Sequence, residues 1–343
     1  MPFDFALLEE LCELDGVSSR EEAVRACIAA LAEKRGLPHQ TDAVGNLYVK
    51  KPGKNPGTNL RLMVCAHMDE VGVIVTGYER GYLKIAPCGG VDPAAVYGRA
   101  LRFEGNVTGL VTAPPPHLSR GEKTPEITAM YVDIGAEDDD IAKALVPLGA
   151  VGTFAQKGIT FGNGLYCAKA IDDRFGCAQI IGMFGEEFAG DVYFVFTVQE
   201  ELGTRGAQVA ANVIKPDIAL ILETTTAVDY AGVSEADVVC RVGSGPVVPF
   251  MDGASVPDKT LRREVCRLAK ELGISVQTKE KIAGGTDAGA IQRAGSGARV
   301  AVISLASRNL HSGACTASRA DMEDCCRLSL AFCKGVLSGE IEL

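Results

Sequence analysis

The chain has 343 residues, 47% of them hydrophobic, and a formal charge of −10. That length suits one large domain with a smaller one. The charge argues against nucleic acid and anionic membrane as partners, and no apolar run reaches a bilayer-spanning length.

Met1-Pro-Phe-Asp-Phe opens the chain with neither a basic nor an apolar leader, so no export signal is expected. The 12 cysteines are scattered without a C-x-x-C pair and read as reduced thiols of a cytoplasmic protein. Ser19-Arg20-Glu21-Glu22 has the form of a capping box. Val24, Cys27, Ile28 and Leu31 follow at helical spacing, and Gly36 would end that helix. Strands are expected around Asn46 to Val49 and Leu60 to Ala66.

From about residue 72 to 161 the chain turns to Gly, Val and Pro with short alternating runs, such as Tyr82 to Ala86, Ala100 to Phe103 and Gly109 to Thr112. Pro114-Pro115-Pro116 breaks any regular element, and only Asp139 to Val146 reads as helix there. From Leu165 strands and helices alternate again, with helices at Phe175 to Phe188, Gly206 to Val213, Lys259 to Leu272 and Asp321 to Val336. The pattern predicts an α/β fold. The expected form is an α/β/α sandwich with a central, mostly parallel sheet, interrupted by an inserted small β-barrel-like domain. The expected divisions are residues 1–71 and 162–343 for the sandwich and 72–161 for the insertion.

Six metal-friendly side chains fall at predicted strand ends, where ligands bind in open α/β sheets. His67 closes the run from Leu60, and Glu200 and Glu201 follow Val192 to Val198. Glu223 follows Ile218 to Leu222, His311 follows Val300 to Leu305, and Asp172 opens Asp172-Asp173-Arg174-Phe175-Gly176. A dinuclear site needs about five protein ligands, one of them a bridging carboxylate. His67, Asp172, Glu201, Glu223 and His311 supply that count and leave Glu200 as a general base. Asp69, two residues after His67, could accept the imidazole N–H and fix its tautomer. Taken singly, each has a structural reading. The Glu pair could be a solvated loop, Asp172-Asp173 a helix cap, and His67 a satisfied interior histidine. Taken together that reading is poor, because each polar group follows an apolar strand. Gly284-Gly285-Thr286-Asp287-Ala288-Gly289 matches no phosphate loop. It reads as a substrate-facing loop, with Thr286 and Asp287 as contacts. Arg308, near His311, is a candidate partner for an acidic substrate group.

The segments Ala66-His67-Met68-Asp69-Glu70-Val71-Gly72, Ala170-Ile171-Asp172-Asp173-Arg174-Phe175-Gly176, Gln199-Glu200-Glu201-Leu202-Gly203, Gly284-Gly285-Thr286-Asp287-Ala288 and Asn309-Leu310-His311-Ser312 resemble the tetrahedral-type aminopeptidases. That is metallopeptidase family forty-two, which includes glutamyl and deblocking enzymes. The resemblance spans nearly the whole chain. It implies a zinc-peptidase-like sandwich in which His67, Asp172 and Glu223 hold one metal. Asp172, Glu201 and His311 would hold the other, with Asp172 bridging. It further implies Glu200 as base and acid, Asp69 orienting His67, and a cis Asp172-Asp173 bond. The inserted domain would be a dimerisation domain, and the dimers would be building blocks of a hollow tetrahedral dodecamer. Many members carry Asp where this chain has Glu223, which shifts that ligand by a methylene. Two divalent cations per subunit are expected, zinc first, with cobalt and manganese also suited to these ligands.

The leading function is therefore removal of N-terminal residues from short peptides. The alternatives are a related metal-dependent amide hydrolase of the acyl-amino-acid deacylase type, a glycosidase, or a non-catalytic assembly protein. Metal-free glycosidase chemistry fits the ligand set poorly.

Overall fold

The computed structural model describes residues 3–55, 60–114 and 124–341. The chain opens with α1 (Phe5–Glu13), α2 (Glu22–Lys34), β1 (His39–Thr41), β2 (Leu47–Lys51) and β3 (Leu62–His67). The insertion contains β4 (Gly72–Glu79), β5 (Tyr82–Cys88), α3 (Pro93–Val96), β6 (Ala100–Phe103), β7 (Val107–Thr112), β8 (Tyr131–Asp133), α4 (Asp139–Leu145) and β9 (Val151–Phe154). The chain then forms β10 (Ile159–Phe161), β11 (Leu165–Ala168), α5 (Ile171–Gly182), β12 (Val192–Thr197), α6 (Arg205–Ile214) and β13 (Ile218–Thr226). It ends with α7 (Lys259–Glu271), α8 (Asp287–Arg293), β14 (Arg299–Arg308), β15 (Cys315–Ser318) and α9 (Arg319–Ser338).

Nine strands form one sheet in the order β1-β2-β12-β3-β13-β14-β15-β11-β10. The sandwich is as expected, but parallel pairing is confined to β12, β3, β13 and β14, and both flanks are antiparallel, so the sheet is mixed. Alternation along β3 builds the two layers. Leu62, Val64 and Ala66 pack with α1, α2, α5, α7 and α9. Met63 and Cys65 pack with α6 and α8 on the opposite face. Every residue of β3 is buried, as a strand covered on both faces must be.

The insertion is a closed antiparallel barrel, β4-β5-β8-β7-β6-β9, filled by residues such as Val73, Ile85, Leu101, Phe103, Val132 and Phe154. Its end differs from the expected one. β10 pairs with β11 in the large sheet, so the barrel closes at Phe154 and residues 155–161 lie outside it. The run Ile159–Phe161 is as β-prone as the barrel strands, and composition cannot separate them. Pro115 and Pro116 of the proline run lie outside the described residues.

The capping box is also not formed as read. Ser19 adopts φ 71 and α2 begins only at Glu22. Glu21, not Glu22, folds its carboxylate back onto the Ser19 N–H, at 2.7 Å. The C-terminal helices follow their sequence signals closely. Asp258 caps α7 by accepting from Thr260 and Leu261, and Ser318 caps α9, which stops at the left-handed Gly339.

Candidate metal centre

The four parallel strands end on one side, and their carboxyl ends carry most of the polar residues that meet there. His67 is the last residue of β3, level with Thr197 of β12. Glu200 and Glu201 lie in the turn after β12. Glu223 lies inside β13 rather than after it, beside Ser304 of β14. His311 sits between β14 and β15, and Asp172 at the head of α5, where the Asp172–Asp173 peptide bond is cis. Ala170, Gln199 and His311 take left-handed φ of 55, 54 and 58°. Side chains with a Cβ disfavour that region, and its use at three approaches to the site marks backbone held by its surroundings.

The distances have a two-fold pattern centred on Asp172. Its Oδ1 lies 3.3 Å from His67 Nε2, and its Oδ2 lies 3.5 Å from His311 Nε2. Glu223 Oε1 is 3.6 Å from the same His67 nitrogen, and Glu201 Oε1 is 3.3 Å from the same His311 nitrogen. Each imidazole is oriented from behind. His67 Nδ1 lies 3.1 Å from the Asp69 carbonyl and 3.4 Å from its Oδ1. His311 Nδ1 lies 2.8 Å from the carbonyl of Gly90, which the barrel supplies. Both inner Nε2 atoms thus face carboxylates.

The donor set suits divalent cations on two grounds. First, carboxyls outnumber bases: Asp69, Asp172, Asp173, Glu223 and Asp287 are buried and Glu200 and Glu201 half-buried around two imidazoles. Second, Asp172 Oδ1 and Asp173 Oδ2 are buried without a hydrogen-bond donor. Such oxygens are costly unless something positive meets them. His67, Asp172 and Glu201 offer donor atoms within 4.8 Å of one another, and so do His67, Asp173 and Glu223. The second trio puts Asp173 where the pairwise contacts put Asp172. Asp173 already accepts the Gly176 N–H at 3.0 Å, whereas Asp172 reaches both imidazoles. Asp172 is therefore the carboxylate placed to serve both halves.

Proton affinities reflect the same crowding. Burial, then the nearby Asp172, pushes Glu201 up to about 8. Burial also raises Glu223 to about 7 against the pull of His67. Burial, with Glu223, Asp287 and Glu201 close by, lifts Glu200 well above the carboxylate range. Burial alone would lower both histidines, but neighbouring carboxylates override it, raising His67 well above its usual value and His311 to about 9. Protons and cations compete for the same lone pairs.

The cleft beside these groups holds about 350 Å³ and is lined also by Thr286 and Lys279. Of the expected substrate contacts, Thr286 thus reaches the cleft. Asp287 lies behind it, buried, accepting from Thr197 Oγ1 at 2.6 Å. Arg308 is turned away, held by Asp229 through two 2.7 Å hydrogen bonds. An arginine near a ligand in sequence carried no sign of that partner, 79 residues away. Lys279 was missed because its segment, Thr278-Lys279-Glu280-Lys281, reads as a solvated charge run. It is instead 4% exposed, with Nζ donating to the Ala283 carbonyl at 3.0 Å.

Comparisons with known proteins agree with this geometry. The family described as M42 glutamyl aminopeptidase matches residues 45–328. A putative aminopeptidase of Acetivibrio thermocellus is 34% identical over 327 residues, covering 94% of this chain and 96% of that protein. An aminopeptidase of the archaeon Desulfurococcus kamchatkensis has a similar structure, with a TM-score of 0.91 at 28% identity over 98% of this chain and 96% of that one. The TET1 peptidase of Pyrococcus horikoshii, which can assemble into a tetrahedron or a large octahedral shell, gives 0.84 at 30% identity over 96% and 98%.

Proposed function

We propose that this chain, which belongs to the M42 glutamyl aminopeptidase family and is an aminopeptidase, releases N-terminal residues from short peptides with two divalent cations and Glu200 as general base. The observation that carries this reading is the split contact of Asp172, one oxygen towards His67 and the other towards His311. His67, Asp172 and Glu223 would hold one ion, and Asp172, Glu201 and His311 the other. Zinc is the first candidate, with cobalt and manganese next. What divalent cations supply in such a site is a polarised carbonyl and an attacking water acidified to a pKa of ~7.

The chain's own residues do the rest. Asp69 and Gly90 hold the two imidazoles by their outer nitrogens. Glu200 faces the cleft without an imidazole partner, so it is free to take the proton of the attacking water and pass it to the leaving amine. The carboxyl-rich wall favours a substrate that brings a free α-ammonium.

Metal analysis is the direct test, paired with hydrolysis of aminoacyl-p-nitroanilides before and after chelation. About two ions per chain, with release lost on chelation and regained on add-back, are expected. Two ions without release would favour the acyl-amino-acid deacylase reading. No bound metal and no gain on add-back would sink the dinuclear mechanism.

Among the described residues, Lys279 is the one Lys or Arg side chain on the cleft wall. An acidic N-terminal residue would find its partner there. Lys279→Met is expected to lower kcat/KM for a glutamyl p-nitroanilide by about tenfold or more, the worth of one hydrogen bond to a charged group. The leucyl substrate should be unaffected. Equal losses on both would show that Lys279 supports the loop rather than selecting substrate.

Exposed apolar residues on the barrel, Leu110, Ile141, Leu145 and Leu148, support a dimer formed through it as the unit of a larger homo-oligomer. All 12 cysteines are free, which supports a reducing, cytoplasmic setting. Among the described residues no helix is long and apolar enough to cross a membrane.

A further inference from the structure

The turn that carries Glu200 and Glu201 is not held by its own strand alone. Asp69 Oδ1 accepts the Glu200 N–H at 3.0 Å, and Asp69 Oδ2 accepts the Glu201 N–H at 3.1 Å. Both oxygens of Asp69 are thus committed to the backbone of the turn, and the Asp69 carbonyl is the nearer acceptor for His67. The carboxylate is fixed in turn by Ser18, whose Oγ donates to Oδ2 at 2.6 Å. Three residues further on, Glu21 Oε1 accepts the N–H of Gln199 at 3.2 Å as well as that of Ser19. Ser18, Asp69 and Glu21 are all essentially solvent-free.

The backbone of the same N-terminal segment is stitched to the loop after His67. Glu70 N donates to the Gly16 carbonyl at 3.0 Å, and Ser18 N donates to the Glu70 carbonyl at 3.2 Å. Glu70 Oε1 also accepts the Gly16 N–H at 3.1 Å. Gln199 needs such support, because its left-handed φ of 54° is unfavourable for a residue with a side chain. Residues 16–21 precede the part of the chain that the family match covers, which begins at residue 45.

We propose that residues 16–21 form a clasp that sets the position of Glu200, with Ser18 and Glu21 as positioning residues. This rests on Glu200 being the base. Filling space would need only apolar side chains of similar size. Here two carboxylates, one of them fixed by the Ser18 hydroxyl, instead accept every N–H from Gln199 to Glu201. Without the Ser18 hydroxyl, Asp69 can swing towards His67 Nδ1, 3.4 Å away, and the turn loses its two acceptors.

The test compares Ser18→Ala and Glu21→Ala with two references. Glu21→Gln keeps an oxygen acceptor. Ser329→Ala removes another buried hydroxyl, one that donates to the Cys325 carbonyl in α9 at 2.7 Å. Amide hydrogen exchange over residues 198–204, kcat, KM, bound metal and Tm are measured for each. Ser18→Ala should speed exchange at Glu200 and Glu201, and Glu21→Ala at Gln199, by about tenfold. They should lower kcat by about tenfold or more, as misplaced catalytic groups do, with KM and metal content within about twofold. Glu21→Gln should behave as the parent, and Ser329→Ala should lower only Tm. Unchanged exchange at 199–201 together with a lowered Tm would overturn the clasp. Exchange does not depend on turnover, so a parent protein that released no amino acid would refute the aminopeptidase mechanism while the clasp was still decided.

Discussion

Glu200→Gln is expected to keep its bound cations and lose about three orders of magnitude in kcat, the middle of the range for removing a general base. The substitution is nearly isosteric, and the Glu200 backbone is pinned on both sides. Its N–H goes to Asp69, and its carbonyl accepts from Gly203 and Thr204, each at 2.8 Å. Neither imidazole is paired with it, so the groups that would hold metal keep their contacts. An amide cannot take the proton from water, so the loss falls on turnover and not on binding. Metal analysis alongside steady-state kinetics checks this, and normal turnover would show that another group is the base.

Asp172→Asn should instead lose metal and activity together. Among the described residues, Asp172 is the one carboxylate whose two oxygens reach both imidazoles. An amide offers a single weaker acceptor and turns an N–H₂ towards one half of the site. Cation affinity should fall by about a hundredfold or more, beyond the effect of losing a supporting residue. The fold has little reason to fail. Asp173, not Asp172, accepts the Gly176 N–H at the head of α5. Calorimetric titration of metal into the stripped protein, with circular dichroism as a check on folding, separates the two effects. Retained affinity would remove Asp172 from the bridging role.

That His67 and Glu200 line one cleft was legible in the sequence, and the reason is physical. Leu62–His67 and Val192–Thr197 are near-continuous apolar runs, as strands covered on both faces are, so a polar group at the end of such a run stands out. The helices expected from Lys259 and Asp321 were equally plain in their spacing, and the second begins two residues earlier, at Arg319, because Ser318 caps it. What escaped was whatever depends on a partner far along the chain. β1 is three exposed residues and becomes a strand only because β2 offers it an edge. Arg308 looked like a pocket cation until Asp229 claimed it. Asp69 looked like a support for His67, yet two of the three hydrogen bonds its carboxylate accepts come from a turn about 131 residues away. Glu223 read as lying past a strand end because the Thr224-Thr225-Thr226 run looks like a turn, yet these β-branched residues extend β13 beside β14.

The barrel enters and leaves the sandwich through one neck, where Val73 pairs with Gly152. A side chain at Gly72 would stand 2.5 Å from the Gly152 carbonyl, so the two crossing strands fit only with a glycine there. Ends so close are what a domain inserted into another needs. The barrel is nonetheless tied to the site. Its Gly90 orients His311, and its Thr153 hydroxyl donates at 2.7 Å to Glu70, which also accepts from Lys169 three residues before Asp172. The barrel is thus a buttress of the centre, and a change that shifts it is passed both to the His311 ring and to the segment leading into Asp172.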